Sequence, residues 1–366
     1  MDRPLGNPWP PRRKTVPLRI GPLAVGGGAP VSVQSMTKTE PRDVRATLAQ
    51  IRRLERAGCE IIRLAVPDLE AADALGRIKK RTAVPLIADI HFDHRLALAC
   101  LGHGVDGLRL NPGTIGSVKK VREVAIEAKA RAVPIRIGVN SGSLEKDLLA
   151  RFGGATAEAM VESALRHIRI LEDLDFRLIK VSLKASDVPR TVEAYRRLAE
   201  RVDYPFHAGI TEAGPLLAGA VKSSIGLGIL LNEGLADTIR VSLTAPPEDE
   251  VKIAWRILAG LEMRRRGVNI VSCPTCGRSE VEGMRDIAAR VEKALESVRE
   301  PITVAIMGCM VNGPGESKEA DIGVACGPSA GVLFKGGRLL RRVPESEIIP
   351  ALLEEVRKII EERTAS

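Results

Sequence analysis

The sequence predicts an α/β fold with an N-terminal (β/α)8 TIM barrel and a C-terminal α+β domain. The 366 residues exceed what one ordinary core needs and suit about two domains. Eight short apolar stretches alternate with amphipathic helical stretches over roughly 230 residues, which is typical of a barrel. An open doubly wound sheet is the alternative, although no G-x-G-x-x-G nucleotide fingerprint follows an early strand. The pattern changes near residue 266, so the domains are predicted at 1–266 and 267–366.

A β-hairpin is predicted at the start, because residues 16–20 and 31–34 flank a glycine-rich connection at residues 26–28. The predicted barrel strands are residues 31–35, 61–66, 85–90, 107–110, 134–139, 178–183, 205–210 and 238–243. Each is apolar and rich in β-branched residues, which favours buried strands.

The helices between these strands are predicted from amphipathic stretches such as 43–57 and 117–130. The last barrel helix should begin at Pro246-Pro247, since proline is favoured at a helix start. The C-terminal domain is predicted as a strand, a C-x-x-C turn, a helix at 281–298, a strand at 302–307, a turn around Cys309, strands at 322–325 and 332–334, and a closing helix at 345–362.

The amino-acid composition limits the kinds of molecule that the protein is expected to bind. The chain has 55 basic and 46 acidic residues, a formal net charge of +9, which favours an anionic partner. Aromatic residues make up only 2% of the chain, which argues against recognition of unstacked nucleic-acid bases. We find no apolar run of membrane-spanning length and no signal-peptide pattern. We therefore expect a cytoplasmic protein that binds neither nucleic acid nor membrane.

Cysteines near the C-terminus indicate a metal centre. Cys273 and Cys276 form a C-x-x-C turn, and Cys309 follows in a turn rich in glycine and proline. Thiolates are preferred ligands of zinc and of iron–sulfur iron, and a reducing compartment keeps them free. A structural zinc site would need a fourth ligand, for which Cys326 is a candidate. A pair, a single cysteine and then Glu316 instead suggest three thiolates and one weaker oxygen ligand, which suits an iron that can exchange a ligand for substrate.

Polar residues lie at the predicted carboxyl ends of the barrel strands, where barrels place their chemistry. They are Arg63, Asp89, His91, Arg109, Asn111, Arg136, Asn140, Ser182, Lys184, His207, Glu212, Arg240 and Ser242. A single one would be unremarkable, and the two histidines alone would more often be hydrogen-bonded core residues. Several cations that converge with few carboxylates need a counter-anion, and a phosphate or diphosphate would supply it. Residues 222–228 are either a phosphate cradle or an ordinary helix rich in small residues.

Three motifs together resemble the 4-hydroxy-3-methylbut-2-enyl diphosphate synthase family of the methylerythritol phosphate route to isoprenoids. They are the runs VQSMT at 33–37, CPTCGR at 273–278 and MGCMVNGPGE at 307–316. The resemblance covers nearly the whole chain and is to the two-domain bacterial form. It implies reductive ring opening and dehydroxylation of 2-C-methyl-D-erythritol 2,4-cyclodiphosphate by two electrons.

The resemblance also implies the cofactor, the partners and the site residues. A [4Fe–4S] cluster is implied on Cys273, Cys276 and Cys309, with Glu316 as its fourth ligand. The electron donor is expected to be ferredoxin or flavodoxin, and the protein a homodimer whose active site is shared between subunits. The substrate-binding residues implied are Asp89, His91, Arg109, Asn111, Arg136, Asn140, Lys184, Arg240 and Ser242, to which the strand pattern adds Arg63. Glu212 is a candidate proton donor, and Glu316 is expected to yield its iron to substrate.

Two other functions are compatible with the residues alone. One is a phosphate-binding barrel transferase, such as a pterin synthase, with a structural zinc module. The other is a zinc-ribbon protein that binds nucleic acid and carries an inert barrel. Metal content separates both from an iron–sulfur oxidoreductase.

Overall fold

The structure is a computed structural model that describes residues 10–276, 283–309, 315, 318–327 and 329–365. The chain forms two units, of which the first ends at Arg264 and the second begins at Arg265. The boundary expected after residue 266 lies two residues further along the chain. No helix in the described ranges combines the length and the apolar character that a membrane span requires.

The first unit is a barrel of eight parallel strands, as the sequence predicts. A hairpin of β1 (Leu18–Ile20) and β2 (Leu23–Val25) precedes the barrel. The barrel strands are β3 (Ser32–Met36), β4 (Ile61–Ala65), β5 (Leu86–Asp89), β6 (Gly107–Arg109), β7 (Ile135–Asn140), β8 (Ile179–Lys184), β9 (His207–Ala208) and β10 (Thr238–Ile239). Their order in the sheet is β8-β7-β6-β5-β4-β3-β10-β9. A parallel bridge between Val181 and Phe206 joins β8 to the segment before β9, so the sheet closes and the open-sheet alternative is wrong.

Nine α-helices of the described part of this unit follow the strands. They are α1 (Val44–Ala57), α2 (Leu69–Lys79), α3 (His94–Gly102), α4 (Val118–Ala130), α5 (Lys146–Phe152), α6 (Ala157–Glu172), α7 (Val188–Ala199), α8 (Leu216–Asn232) and α9 (Pro247–Gly260). Several of these helices are capped at the N-terminus by an aspartate whose carboxylate accepts a hydrogen bond from a backbone amide of the first turn. Asp43 accepts such a bond from Ala46 N at 2.9 Å. The start of the last helix at Pro247 is confirmed.

The hairpin that precedes the barrel differs from the predicted one. Strand β1 (Leu18–Ile20) pairs with β2 (Leu23–Val25) across Gly21, and the stretch at 31–34 instead belongs to barrel strand β3. The prediction failed because it treated the glycines at 26–28 as the hairpin turn. Side chains of Ile20 and Val25 pack on Ile61 and Ile87, close to the start of their strands. The hairpin therefore covers the end of the barrel opposite the strand carboxyl ends.

In its described residues, the second unit is a five-stranded mixed sheet with two α-helices packed on one face. Its strands are β11 (Val268–Ser272), β12 (Ile302–Met307), β13 (Ile322–Gly327), β14 (Ala330–Lys335) and β15 (Arg338–Pro344), and its helices are α10 (Met284–Ala294) and α11 (Ile348–Thr364). Strands β11, β12 and β13 are parallel, whereas β14 and β15 return antiparallel. Strand β15 was not predicted, and residues 281–282 of the predicted helix lie outside the described residues. The predicted α+β class is confirmed.

Candidate functional site

The barrel interior carries charged side chains because its strands alternate. In β8, Ile179, Val181 and Leu183 pack outward into the core under the helices, so the residues between them face inward. The neighbouring strands β7 and β8 align Arg136 with Lys180 and Asn140 with Lys184. The inward-facing cations found in this way are Arg63, Arg109, Arg136, Lys180, Lys184 and Arg240.

Asp89 is the carboxylate that faces these cations from β5. Its Oδ2 atom lies 3.5 Å from Arg63 Nε, and its Oδ1 atom lies 3.4 Å from Arg109 Nη1. Burial alone would raise the pKa of Asp89, but the Arg63 charge, the neighbouring His91 ring and the Arg109 charge lower it below the usual carboxyl value. Asp89 is therefore ionised, and it offsets the charge of the nearest guanidinium groups.

Arg109 and Asn111 are held by the backbone of the next strand. Arg109 Nη2 and Asn111 Nδ2 both donate to the carbonyl oxygen of Gly138, each at 3.0 Å. The amide of Gly138 donates in turn to Asn111 Oδ1 at 2.9 Å. His91 is exposed, and its Nδ1 atom lies 3.2 Å from Arg109 Nη1. The residues predicted at the carboxyl ends of β5 and β6 thus lie together at one rim of the barrel.

Arg136 is a buried cation whose guanidinium group has few hydrogen-bond partners in the described part of the chain. Its Nη1 group donates to Ser182 Oγ, but its Nε and Nη2 atoms are buried without a hydrogen-bond partner among the described residues. Burial, followed by the charges of Arg63 and Arg109, lowers the pKa of Arg136 well below the usual guanidinium value. An arginine keeps its proton in proteins, so this environment costs folding free energy that a bound anion would recover.

Lys184 and Arg240 extend the cationic surface to β8 and β10. Burial, followed by the charges of Arg240 and Arg136, lowers the pKa of Lys184 well below its usual value. Gly209 makes room for both, since a Cβ atom there would lie 2.3 Å from the Arg240 carbonyl oxygen and 3.1 Å from Lys184 Nζ. Two further predicted residues are partly exposed: Asn140 ends β7, and Ser242 follows β10.

Two sequence hypotheses concern the residues after β9: Glu212 as a proton donor and residues 222–228 as a phosphate cradle. Glu212 is exposed in the loop after β9, with a φ of 51° that places its backbone in the left-handed region. Residues 222–228 lie inside α8, where Ser223 and Gly226 are buried against the barrel. Their amides serve the helix, so the phosphate cradle is wrong and the ordinary helix is confirmed.

Gly138 was missed by sequence reasoning, although its place between two inward residues of β7 could have revealed it. A Cβ atom there would lie 2.8 Å from Arg109 Nε and 3.2 Å from Arg136 Nη1. We predict that Gly138→Ala displaces both guanidinium groups and raises the Michaelis constant for the anionic substrate roughly 10- to 100-fold. Steady-state kinetics measure this, with Gly142→Ala as control because its Cβ would meet nothing within 4 Å. An unchanged Michaelis constant would contradict a binding role for these guanidinium positions.

Three cysteines of the second unit, Cys273, Cys276 and Cys309, follow the carboxyl ends of two neighbouring strands. Cys273 directly follows β11 and donates its amide to the Ile306 carbonyl at 3.0 Å, while Cys309 lies two residues beyond β12. Because β11 and β12 are parallel neighbours, both thiols follow strand ends at the same edge. The amide of Thr275 donates to Cys273 Sγ at 3.3 Å, the kind of bond that stabilises a thiolate. Cys276 is exposed in the same turn.

Cys326 lies on the other face of the sheet. It is buried with the helix-covered core, where Val324 and Leu352 also lie, whereas Cys273 packs with Met307 and Ala305 on the opposite face. This placement disfavours Cys326 as a fourth ligand beside Cys273. Burial, followed by the charge of Glu345, raises the pKa of Cys326 to about 11, so it stays a thiol.

The predicted ligands of a metal centre lie only partly within the described residues. Among these residues no three histidine, cysteine, aspartate or glutamate side chains converge as a preformed metal site. Glu316, the predicted fourth ligand and catalytic residue, lies outside them. Three thiols from adjacent turns nevertheless fit the donor chemistry of an iron–sulfur cluster.

Two family models cover most of the chain. The GcpE TIM-barrel domain matches residues 15–255, and the GcpE protein C-terminal domain matches residues 269–358. The chain belongs to the GcpE family. The resemblance predicted from the sequence motifs is therefore confirmed.

Curated members of the GcpE family match this chain over nearly its whole length. A protein from Geobacter sulfurreducens is 57% identical over 352 residues, covering 96% of this chain and 99% of its own. One from Thermodesulfovibrio yellowstonii is 58% identical over 347 residues, covering 95% and 99%. Both are named 4-hydroxy-3-methylbut-2-en-1-yl diphosphate synthase (flavodoxin). Among solved structures, the dihydropteroate synthase of Yersinia pestis is 11% identical with a TM-score of 0.47, covering 67% of this chain and 97% of its own, a similarity too low to bear on function.

Proposed function

We propose that this protein catalyses the reductive ring opening of 2-C-methyl-D-erythritol 2,4-cyclodiphosphate to 4-hydroxy-3-methylbut-2-enyl diphosphate. The observation that supports this most is the barrel interior, where six inward-facing cations lie and Asp89 pairs with only two of them, Arg63 and Arg109. Such an interior needs an anion, and a cyclic diphosphate supplies two negative charges. The names of the curated relatives agree with this substrate class.

The cations are proposed to bind and orient the two phosphates. Arg109 and Arg136 offer planar guanidinium groups that can bind phosphate oxygens bidentately, and Arg240 is their counterpart across the barrel. Lys184 adds a point charge, and Ser242 a hydroxyl donor. The Asn111–Gly138 bonds fix the rim on which Arg109 lies. Holding the substrate from several strands at once restricts its motion before the reaction.

A [4Fe–4S] cluster is proposed on Cys273, Cys276 and Cys309, with Glu316 as the fourth ligand. When bound, such a cluster supplies single electrons and a Lewis-acidic iron. The Thr275 amide donates to Cys273 Sγ and so orients this sulfur in the turn. Glu212, exposed beyond β9, is proposed to supply or hold a proton when the hydroxyl group leaves as water.

Metal content and turnover test this proposal together. We expect anaerobically purified protein to contain iron and sulfide in equal amounts, close to four of each per chain. It should reduce the cyclic diphosphate with a reduced flavodoxin. A colourless protein that contains one zinc per chain and is indifferent to oxygen would overturn the proposal in favour of a transferase or a nucleic-acid-binding protein.

The electron donor is proposed to be a flavodoxin, with ferredoxin as the alternative. The relatives are named for flavodoxin. Small acidic redox proteins would also be attracted by a chain of net charge +9. The reaction is expected to take place in the cytoplasm, where reduced donors of this kind are available.

A homodimer with a shared active site is also part of the proposal. Helix α8 exposes Leu217, Val221 and Ile225 at four-residue spacing, with side chains 79%, 53% and 53% exposed. Apolar side chains in such a row favour burial against another protein surface. A second copy of the chain, packed on this face by two-fold symmetry, would cover it.

Subunit mixing tests whether the site is shared. We predict that Arg136→Ala and Cys309→Ser subunits, each inactive alone, regain activity when they are unfolded and refolded together. In a mixed dimer, one site combines an intact barrel with an intact cluster unit only if these come from different subunits. Activity per mixed dimer should reach about half that of the wild-type dimer, since one of its two sites is intact. Mixed dimers without activity would show that each subunit works alone.

A further inference from the structure

Lys180 is a buried cation that the proposed binding site does not use. It lies on β8, inward-facing and four residues before Lys184, and only 2% of it is exposed. Its Nζ atom lies 3.5 Å from the hydroxyl of Thr238, which lies 2.9 Å from the hydroxyl of Ser32. Among the described residues it makes no ion pair. Two hydroxyl groups are weak compensation for a charge in this position.

The groups around Lys180 add positive charge rather than remove it. The charged or titratable groups near it are Arg136, its register partner on β7, His207 on β9 and Asp237, which precedes β10. The nearest carboxylate, Asp237, is already engaged by Arg12 at 2.7 Å and by the amide of Phe206 at 2.8 Å.

Several polar atoms in this interior have no hydrogen-bond partner among the described residues. Both ring nitrogens of His207 and both amide atoms of Gln34 are buried in this state, together with two nitrogens of Arg136. Such groups need water or a ligand near them. The mouth of the barrel is the opening at the carboxyl ends of its strands. The interior below this mouth therefore contains positive charge that the protein alone does not neutralise.

Keeping all six inward-facing cations charged in the empty barrel would cost folding free energy. The four arginines keep their protons, so the adjustment falls on the lysines. Burial, followed by the charge of Arg136, lowers the pKa of Lys180 to about 7. The hydroxyl of Thr238 can donate to a neutral amine as well as accept from an ammonium group, so the site suits either form.

We infer that Lys180 is neutral in the empty barrel and takes up one proton from solvent when a diphosphate binds at the mouth. The inference rests on the proposed function for the identity of the ligand. The anion lowers the repulsion that Arg136 imposes, so the ammonium form of Lys180 becomes the stable one. Ring opening frees a further phosphate oxygen, so the product carries more negative charge than the substrate and keeps Lys180 protonated.

This proton uptake gives the binding affinity a defined dependence on pH. Below about pH 6 Lys180 is already protonated in the empty barrel, and no proton is needed. Above its empty-state pKa of about 7 each binding event must take up a proton, so the dissociation constant rises with pH, by up to about tenfold per pH unit. The rise ends where the pKa of the liganded state is reached.

Calorimetry of the cluster-loaded protein without electron donor measures the uptake directly. The probe is 2-C-methyl-D-erythritol 2,4-cyclodiphosphate, whose phosphates are strongly acidic and do not titrate between pH 6 and 9. Titrations at pH 8 in buffers of different ionisation enthalpy should give a slope of at least one proton taken up, to which Lys184 can add because burial and its cationic neighbours lower its pKa as well. In Lys180→Met and Lys180→Arg the slope should fall by one proton, because the first variant cannot be protonated and the second always is.

The outcomes separate this inference from the proposed function. If the wild-type protein binds the cyclic diphosphate without proton uptake at pH 8, or if both variants keep the wild-type slope, the inference is wrong while the proposed substrate stands. If the wild-type protein does not bind the cyclic diphosphate at all, the proposed function fails first. Lys129→Met, at an exposed lysine that pairs with Asp175, is the control for removal of one charge and should keep the wild-type slope.

Discussion

Cys309→Ser is expected to lose the visible absorption of the cluster and enzymatic turnover together. Cys309 is 7% exposed and follows β12 beside the turn that contains Cys273. Serine is a poor ligand for iron in this setting, because the soft thiolate is what holds it. Loss of groups that only orient metal ligands already costs about 10- to 100-fold. Loss of a ligand should therefore reduce turnover by at least about 100-fold, which anaerobic absorption spectra, iron analysis and kinetics measure on one sample.

Cys326→Ala is the matched control for this experiment. Its thiol is fully buried in the core beneath α11 and lies on the face of the sheet opposite Cys273. We expect this variant to keep its cluster spectrum and turnover while losing about 1 kcal/mol of stability, because a small buried group is removed. If Cys326→Ala lost its metal and Cys309→Ser kept it, the ligand set proposed here would be wrong.

The barrel could be predicted from the sequence because its signals are local. Each strand is a short apolar run, each helix is amphipathic, and α1 begins at a capping aspartate, Asp43, and ends at Gly58 in the left-handed conformation. Strand parity also predicted the inward side chains, since Ser182 and Lys184 share one face of β8. The same parity applied two residues earlier would have identified Lys180.

The features that escaped prediction depend on contacts between distant parts of the chain. The need for a residue without a Cβ atom at position 138 becomes evident only when Arg109 from the neighbouring strand is seen to pack against it. The hairpin partner of β1 was misassigned because three later glycines gave a stronger turn signal than Gly21. That Cys326 faces away from Cys273 follows from the pairing of β12 with β13, which no spacing in the sequence reveals.

Arg136 combines a binding role with a cost to stability, and the two can be separated by one substitution. Its guanidinium group lies inside the barrel with two nitrogens unpartnered among the described residues and with Arg63, Arg109 and Arg240 as charged neighbours. A bound diphosphate would satisfy these nitrogens, whereas the empty protein must bury them. Residues arranged for a ligand in this way commonly reduce the stability of the free protein.

Arg136→Met should therefore weaken substrate binding and stabilise the empty protein. Truncation of a buried charge that binds a ligand costs about 2–5 kcal/mol, or roughly 30- to 5000-fold in affinity. The same change removes an unpaired buried cation, which should add about 1–3 kcal/mol to the free energy of unfolding. Ser182 keeps its bond to the Ile137 carbonyl at 3.3 Å, so the substitution leaves no new unsatisfied hydroxyl. The cluster spectrum should not change.

Opposite signs for affinity and stability are what distinguish a ligand-binding arginine from a structural one. Arg131→Met removes the same charge from an exposed position where the side chain pairs with Glu127, and it should change neither quantity by more than about 0.5 kcal/mol. Calorimetric binding of the cyclic diphosphate and chemical unfolding, measured on both variants, give the comparison. If Arg136→Met bound the cyclic diphosphate as tightly as the wild-type protein and unfolded more readily, Arg136 would be a structural residue and the phosphates would have to bind elsewhere.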